Sequence, residues 1–133
     1  MLQIRAYAQA DAAELLHLFT RAIEAIDERQ YSAAQKAAWI VAAGDLPTWT
    51  ESLQIDHVWL ACEQGRLVGF IGLLLRPQAH VEFYFVEPTA QERGIGSALL
   101  TYAEQAAESA DADQLSFYAS KNSFPASRFS RDM

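Results

Sequence analysis

Residues 86–100 read Val86-Glu87-Pro88-Thr89-Ala90-Gln91-Glu92-Arg93-Gly94-Ile95-Gly96-Ser97-Ala98-Leu99-Leu100. This stretch predicts the end of a strand, a loop over residues 87–93 and a helix that Gly94 opens. The first amides of a helix have no acceptor within it, and the helix dipole adds partial positive charge there. Because Gly94 and Gly96 carry no side chain, an anion such as a pyrophosphate can approach the backbone closely.

Two common phosphate-binding motifs do not fit this stretch. The dinucleotide-binding pattern G-x-G-x-x-G requires a glycine at position 99, which is Leu99. A P-loop requires Gly-Lys followed by Ser or Thr, and that sequence is absent. The residues alone therefore leave two interpretations open, an anion cradle or a helix start whose glycines serve tight packing.

The N-terminal half predicts one strand and two capped helices. Apolar and polar residues alternate over residues 2–7, which favours a short strand. Asp11 and Glu14 form a capping-box pattern for the first helix, and Ser32 and Gln35 repeat that pattern for the second. Helical spacing predicts the buried stripe of the first helix: Leu15, Phe19, Ala22 and Ile26.

A third, short helix is predicted from Asp45 through Leu53, because Pro47 suits a first helical turn. Beyond it, four segments have strand-like patterns: 58–62, 67–71, 80–86 and 115–119. The first two flank Gln64-Gly65, a pair that predicts a tight hairpin because glycine accepts a positive φ. The stripe predicted for the helix after Gly94 is Ile95, Leu99, Tyr102 and Ala106.

Composition limits the class of protein. The 133 residues are 51% apolar and 20% charged, which is typical of one globular domain. The net charge of −7 argues against nucleic-acid binding. Cys62 is the single cysteine, so no intramolecular disulfide forms and no cysteine-based metal site is indicated. No apolar run reaches the ~20 residues of a membrane span, and the N-terminus lacks a signal-peptide core, so we expect a cytoplasmic location and no membrane partner.

Gln91-x-x-Gly94-x-Gly96, following a strand that ends Val86-x-Pro88, resembles the acetyl-CoA signature of the GNAT superfamily of N-acetyltransferases. Three further stretches resemble the family: Leu67-Val68-Gly69-Phe70, Ser97-Ala98-Leu99-Leu100 and residues 115–122. A fourth, Tyr31-Ser32-x-x-Gln35 with Ala38-Trp39, is similar to one subgroup of small bacterial acetyltransferases. The resemblance implies a single α+β domain over residues 1–133 with the GNAT-like acyl-CoA N-acyltransferase fold. In that fold a central, mostly antiparallel sheet is flanked by helices.

The resemblance also implies a co-substrate, acetyl-CoA, and direct transfer of its acetyl group to a primary amine in a ternary complex, without a metal. The acceptor would be a small-molecule or peptide amine. Backbone groups of Phe85 and Val86 would pair with the pantetheine arm as an added strand does. The remaining contacts to coenzyme A would come from Gln91, Arg93, Gly94, Ile95, Gly96, Ser97 and Asn122.

Acetyl transfer requires a base that removes a proton from the amine, and an acid that protonates the leaving thiolate. Glu82 is our candidate base, and a regular strand would place Val81 and Phe83 together on the opposite face. A solvated edge carboxylate is the alternative for Glu82. Tyr118 and Tyr84 are candidate acids or substrate-shaping residues, Tyr84 on the face of Glu82, with core packing as the alternative for both.

Other chemically interesting side chains have simpler interpretations. His57 and His80 are interpreted as turn or surface residues that act without a carboxylate or serine partner. Cys62 is interpreted as a small core residue. Three aromatic residues would line an acceptor pocket or pack in the core: Tyr31, Trp39 and Trp49.

The C-terminus departs from the subgroup after Asn122. Pro125 is followed by eight residues, Ala126-Ser127-Arg128-Phe129-Ser130-Arg131-Asp132-Met133, where relatives carry a charged helix, two more strands and, near Ser127, a tyrosine acid. We therefore expect a domain shortened after about residue 125, with its terminal strands missing and residues 122–133 poorly ordered. An uncovered sheet edge would recruit a second copy, as a homodimer.

These departures keep two alternative functions open. One is a catalytically impaired acyl-CoA-binding or dimeric structural domain of the same fold. The other is a different small α/β protein whose glycine loop binds another phosphate ligand.

Overall fold

A computed structural model describes residues 2–90, 94–112 and 114–117 of the chain. Its five-stranded sheet has the order β1-β2-β3-β4-β5, with antiparallel pairing except between β4 and β5, which are parallel. The strands are β1 (Leu2–Ala6), β2 (His57–Glu63), β3 (Arg66–Leu74), β4 (His80–Val86) and β5 (Ser116–Phe117). The helices are α1 (Ala12–Glu24), α2 (Ala33–Ala43), α3 (Leu46–Ser52) and α4 (Ile95–Ser109). The predicted α+β class and the mostly antiparallel sheet flanked by helices are confirmed.

The core consists of two layers, one on each face of the sheet. Helices α1 and α3 cover one face, and α2 packs against both of them. Helix α4 covers the other face. The first layer includes Leu15, Leu18, Trp49, Leu60 and Phe70, and the second includes Val68, Ile71, Val81, Ile95 and Leu99. Burial of these side chains drives the packing of helices on the sheet.

The hairpin between β2 and β3 forms at the predicted turn. Gln64 and Gly65 have φ values of 53° and 77°. Two consecutive residues in the left-handed region match the twist of an antiparallel hairpin, so the turn holds β2 and β3 in register.

The caps of α2 and α3 also form as predicted. The N–H of Ser32 donates to Gln35 Oε1 at 2.9 Å, and the N–H of Gln35 donates to Ser32 Oγ at 3.1 Å. The carboxylate of Asp45 accepts from the N–H of Thr48 at 3.0 Å. These contacts satisfy amides that a helix leaves without partners, so local sequence is enough to begin both helices.

The predicted cap of α1 by Asp11 is wrong. Asp11 precedes α1, but its carboxylate accepts from the N–H of Ala8 at 2.9 Å and forms a two-pronged ion pair with Arg5. The Arg5 guanidinium lowers the pKa of the Asp11 carboxyl. Because the side chain faces β1 and the preceding turn, it does not reach the first amides of α1.

The buried stripe of α4 differs from the predicted one. Ile95 and Leu99 are buried as expected, but Tyr102 is 40% exposed and its ring lies 6.0 Å from that of Trp59. The buried positions that continue the stripe are Ala103 and Ala107. Small residues there let α4 lie close to the sheet, and a bulky ring fits only at its margin.

Some expectations fall outside the described residues. The strand predicted over residues 115–119 corresponds to β5, of which Ser116–Phe117 is described. Tyr118, Asn122 and residues 122–133 lie outside, so the shortened ending and the homodimer stay predictions. Within the described ranges, the helices lack the combination of length and apolar character needed to cross a membrane.

Candidate functional site

The beginning of α4 has the geometry of an anion cradle. Gly94 precedes the helix with φ of 82°, a conformation that favours glycine. Among the described residues other than its chain neighbours, no atom would lie within 4 Å of a Cβ built on Gly94, so the described structure leaves the space beside this backbone open. The N–H of Ala98 donates to Gly94 O at 3.0 Å. The amides of Ile95, Gly96 and Ser97 come before that first helical bond and have no acceptor within the helix.

Tyr84 fixes the first turn of α4 to β4. Its hydroxyl donates to the carbonyl oxygen of Gly96 at 2.7 Å, and its side chain is buried against the α4 layer. Burial raises the pKa of Tyr84, and the charge of Glu104 adds to that effect. The phenol therefore stays protonated, and its proton is used in the bond to the Gly96 carbonyl, which agrees with the packing interpretation of Tyr84.

An ion pair with a buried carboxylate fixes the beginning of the loop that follows β4. Glu87 follows β4 and is only 4% exposed. Its carboxylate accepts from Arg21 Nη2 at 2.6 Å and Arg21 Nε at 3.1 Å. Its N–H donates to Val68 O at 2.7 Å, and its carbonyl accepts from the N–H of Ala90 at 2.8 Å. Sequence reasoning missed this pair because its partners are 66 positions apart and neither belongs to a short motif.

A β-bulge at Glu82 breaks the alternation expected of β4. Leu73 pairs with Val81 and Gly72 pairs with Phe83, so Glu82 is an extra residue without a counterpart on β3. Val81 packs in the α4 layer and Phe83 in the α1 layer, so the prediction that these two residues share a face is wrong. Tyr84 lies with Val81 in the α4 layer. Bulges re-aim side chains, and they are common next to active sites.

Glu82 lies beside His80 at the beginning of β4. The Glu82 side chain is 31% exposed, and its Oε1 is 3.9 Å from His80 Nε2. On the other side of the ring, His80 Nδ1 is 2.9 Å from Ser116 Oγ on β5. In the folded protein His80 has both a serine and a carboxylate beside its ring, so the interpretation of His80 as a residue without such a partner is wrong. The bulge and the parallel pairing of β4 with β5 bring these groups together.

The remaining predicted coenzyme A residues divide into two sets. Phe85 stands opposite Phe70 in β3, and Val86 stands opposite Gly69. Ile95 is buried, whereas Ser97 is exposed at the helix start. The other predicted contacts, together with the candidate acid, lie outside the described residues: Gln91, Arg93, Asn122 and Tyr118.

The aromatic residues considered for an acceptor pocket separate by burial. Trp49 is 1% exposed, and its Nε1 donates to Ala12 O at 3.0 Å, so it is a core residue. Trp39 is 37% exposed and its ring lies 4.8 Å from that of Tyr31. Cys62 is buried, as expected of a small core residue. His57 stacks on Trp59 at 4.9 Å.

Within the described part of the chain, the histidine, cysteine, aspartate and glutamate side chains form no group of three or more that could hold a metal ion. The chemistry proposed for this site uses organic side chains and backbone amides.

The Tyr84–Gly96 contact predicts an alkaline loss of stability. The unfolded chain releases the tyrosine proton near pH ~10, whereas the folded protein, with its raised pKa, keeps it. The stabilisation by Tyr84 is therefore complete below about pH 10 and is lost as the pH rises through the higher folded-state pKa. Tyr84→Phe should cost about 1 kcal/mol at pH 7 and make the alkaline decline shallower.

Urea unfolding of both proteins at pH 7 and across about pH 9–11 measures these effects. Tyr102→Phe is the matched control, because Tyr102 is 40% exposed and its phenol should contribute within about 0.5 kcal/mol. Equal alkaline slopes for Tyr84→Phe and the unmodified protein would contradict the assignment.

Comparisons with known proteins agree with this geometry. The family model described as the acetyltransferase (GNAT) family matches residues 13–131. The uncharacterized N-acetyltransferase YafP of Escherichia coli (strain K12) is 36% identical over 99 residues, which are 74% of this chain and 63% of YafP. The chain thus spans less than two thirds of the length of that relative.

Two solved structures show the same fold. A GCN5-related N-acetyltransferase from Rhodopseudomonas palustris superposes with a TM-score of 0.83 at 32% identity, over 90% of this chain and 74% of that one. The PaiA N-acetyltransferase from Thermoplasma acidophilum, solved in complex with coenzyme A, superposes with a TM-score of 0.79 at 19% identity, over 92% of this chain and 81% of that one. The family model and the arrangement of β4, glycine cradle and α4 lead to one conclusion: this chain belongs to the GNAT family of acetyltransferases.

Proposed function

We propose that this protein transfers the acetyl group of acetyl-CoA to a primary amine, directly and within a ternary complex. The observation that carries the proposal is the open backbone cradle at Gly94, positioned at the end of β4 in a chain of the GNAT family. The fold is also that of PaiA, which was solved with coenzyme A. The net charge of −7 suits an acceptor that arrives as a cation.

The cradle would hold the pyrophosphate of coenzyme A. Amides of Gly94, Ile95, Gly96 and Ser97 would donate to phosphate oxygens, with Gln91, Arg93 and Asn122 as further contacts. In the described part of the chain, β5 pairs with His80 and Val81 at the beginning of β4. Phe85 and Val86 lie at the other end of β4, where the pantetheine arm would add to the strand.

The proposed chemistry requires one proton to leave the acceptor before attack. An amine is largely an ammonium ion at neutral pH, and only its neutral form is a nucleophile. Glu82 would take that proton directly or through a water molecule. The neutral nitrogen would then attack the acetyl carbonyl, the carbon–sulfur bond would break, and the thiolate would take up a proton from Tyr118, the proposed donor. The nitrogen becomes positively charged on attack, so it would lose a second proton to solvent, and solvent would return one proton to the tyrosinate.

The acceptor remains to be identified by experiment. A panel of small amines, amino acids, aminoglycosides and lysine peptides, assayed for release of free coenzyme A thiol, tests the proposal most broadly. Release that depends on a particular amine supports transfer. Tight coenzyme A binding without release for any amine would instead support an acyl-CoA-binding domain.

The cradle predicts a specific effect of glycine substitution. Gly94→Val or Gly96→Val should place a branched side chain where the phosphates approach the amides. Loss of one charge-assisted hydrogen bond costs about 1.5–3 kcal/mol, so the dissociation constant for coenzyme A should rise at least about tenfold. Isothermal titration calorimetry measures the affinity.

Gly65 offers a matched control for the backbone strain at Gly94. Its φ is 77°, and a Cβ there would also have no atom within 4 Å, but it lies in the β2–β3 hairpin. Gly65→Val should therefore lose similar stability, about 1–2 kcal/mol, without loss of coenzyme A affinity. A folded Gly96→Val protein with unchanged affinity would remove the glycine motif from the binding site.

The role of Glu82 predicts a loss of turnover without a loss of binding. Glu82→Gln keeps the shape of the side chain but removes the base, so turnover should fall by about 10²-fold or more. Coenzyme A affinity should stay nearly unchanged, and the acidic limb of the pH–rate profile should disappear. Glu14→Gln, at an exposed position of α1, is the control and should have no effect. A variant with full activity and an unaltered profile would exclude Glu82 as the base.

A further inference from the structure

His80 is held between a serine and a carboxylate that come from different strands. Nδ1 lies 2.9 Å from Ser116 Oγ, and Nε2 lies 3.9 Å from Glu82 Oε1. The side chains of His80 and Glu82 are 23% and 31% exposed, so both are close to solvent without being fully hydrated. Nothing in the proposed chemistry above uses the imidazole.

Ser116 can determine which ring nitrogen carries the proton. The carbonyl oxygen of Ala79 lies 3.3 Å from Ser116 Oγ, and when the hydroxyl donates to it, the single hydroxyl hydrogen is used there. The same oxygen is then an acceptor for a proton on His80 Nδ1. In that tautomer the lone pair of the ring is on Nε2, the nitrogen on the Glu82 side. Uptake of a proton at Nε2 leaves the Ser116 contacts unchanged.

We propose that His80 receives, through Glu82, the proton removed from the acceptor amine and releases it to solvent. The inference rests on the proposed function, and His80 is a positioning residue because it acts on the amine through Glu82. The ammonium N–H bond breaks as an O–H bond forms on Glu82; that O–H bond then breaks as an N–H bond forms at Nε2. Loss of the Nε2 proton to water restores the neutral imidazole, and Glu82 is a carboxylate again for the next turnover.

The surroundings of His80 are consistent with this path. The distance of 3.9 Å is too long for a hydrogen bond, so the proton would pass through one water molecule or after a small rotation of the Glu82 carboxylate. On β3, Leu74 stands opposite His80, and the carboxylate of Asp56 is held by the N–H of Leu75 at 2.7 Å. On β5, Ser116 is uncharged. Of these groups, Glu82 is the carboxylate that faces the ring.

Two amines that differ in protonation separate a relay from a structural role. Butylamine is an ammonium ion at pH 7, whereas hydroxylamine is largely neutral and needs no proton removed before attack. Both are small, so both are supplied at high concentration, and the rates are compared between variants for each amine separately. A proton relay should therefore affect the rate of transfer to butylamine strongly and the rate of transfer to hydroxylamine much less.

His80→Gln should lower kcat for butylamine by about tenfold or more and change kcat for hydroxylamine by less than about twofold. Imidazole added to the buffer should restore part of the butylamine rate. Ser116→Ala should also lower kcat for butylamine more than kcat for hydroxylamine, but by a smaller factor than His80→Gln does. His57→Gln is the matched control, because His57 also begins a strand but stacks on Trp59, and it should behave as the unmodified protein.

Each outcome decides the question. Equal losses for both amines, with no rescue by imidazole, would show that His80 is structural. Unchanged rates for both amines would also overturn the relay. If His80→Gln does not fold, the Ser116→Ala rates with the two amines give the same test. Transfer to no amine of the panel above, butylamine and hydroxylamine included, by a protein that binds coenzyme A would overturn the proposed function, and the relay with it, whereas the two results for His80→Gln overturn the relay alone.

Discussion

The position of the cradle depends on the close approach of α4 to β3 at Gly69. A Cβ on Gly69 would lie 3.1 Å from Phe85 O, 3.3 Å from Ile95 Cγ2 and 3.3 Å from Leu99 Cδ1. These distances are shorter than an ordinary van der Waals contact, so a side chain at position 69 would require its neighbours on β4 and α4 to shift by a few tenths of an ångström. Without a side chain there, the first two turns of α4 pack directly on the strands, and the helix start is fixed at the end of β4.

Two polar contacts add to the packing of α4 in fixing the beginning of that helix and the end of β4. The hydroxyl of Tyr84 holds the Gly96 carbonyl, and the Arg21–Glu87 ion pair joins the end of β4 to α1. A cradle made of backbone amides has no side chain that can adjust to the ligand, so its rigidity must come from such surrounding contacts. The sheet, two helices and the start of the loop therefore contribute to the proposed binding surface, although only the glycines are visible as a motif.

Features that depend on neighbouring residues could be predicted from the sequence. The Gln64-Gly65 turn and the Asp45 cap follow from local backbone preferences, and the structure has both. The bulge at Glu82 could not be predicted, because it arises from register with β3 rather than from the composition of β4. The serine partner of His80 could not be predicted for the same reason, because Ser116 is 36 positions away and meets His80 only through strand pairing.

Thermal denaturation of the unmodified protein with acetyl-CoA, coenzyme A and ATP tests whether the beginning of α4 is an acyl-CoA site. A ligand at about 100 times its dissociation constant stabilises a protein by about 2.7 kcal/mol, which raises the melting temperature of a domain of this size by several degrees. Acetyl-CoA and coenzyme A should each produce such a shift in melting temperature, and ATP should produce little. A shift with ATP alone, or none with either coenzyme A form, would contradict an acyl-CoA site at the beginning of α4.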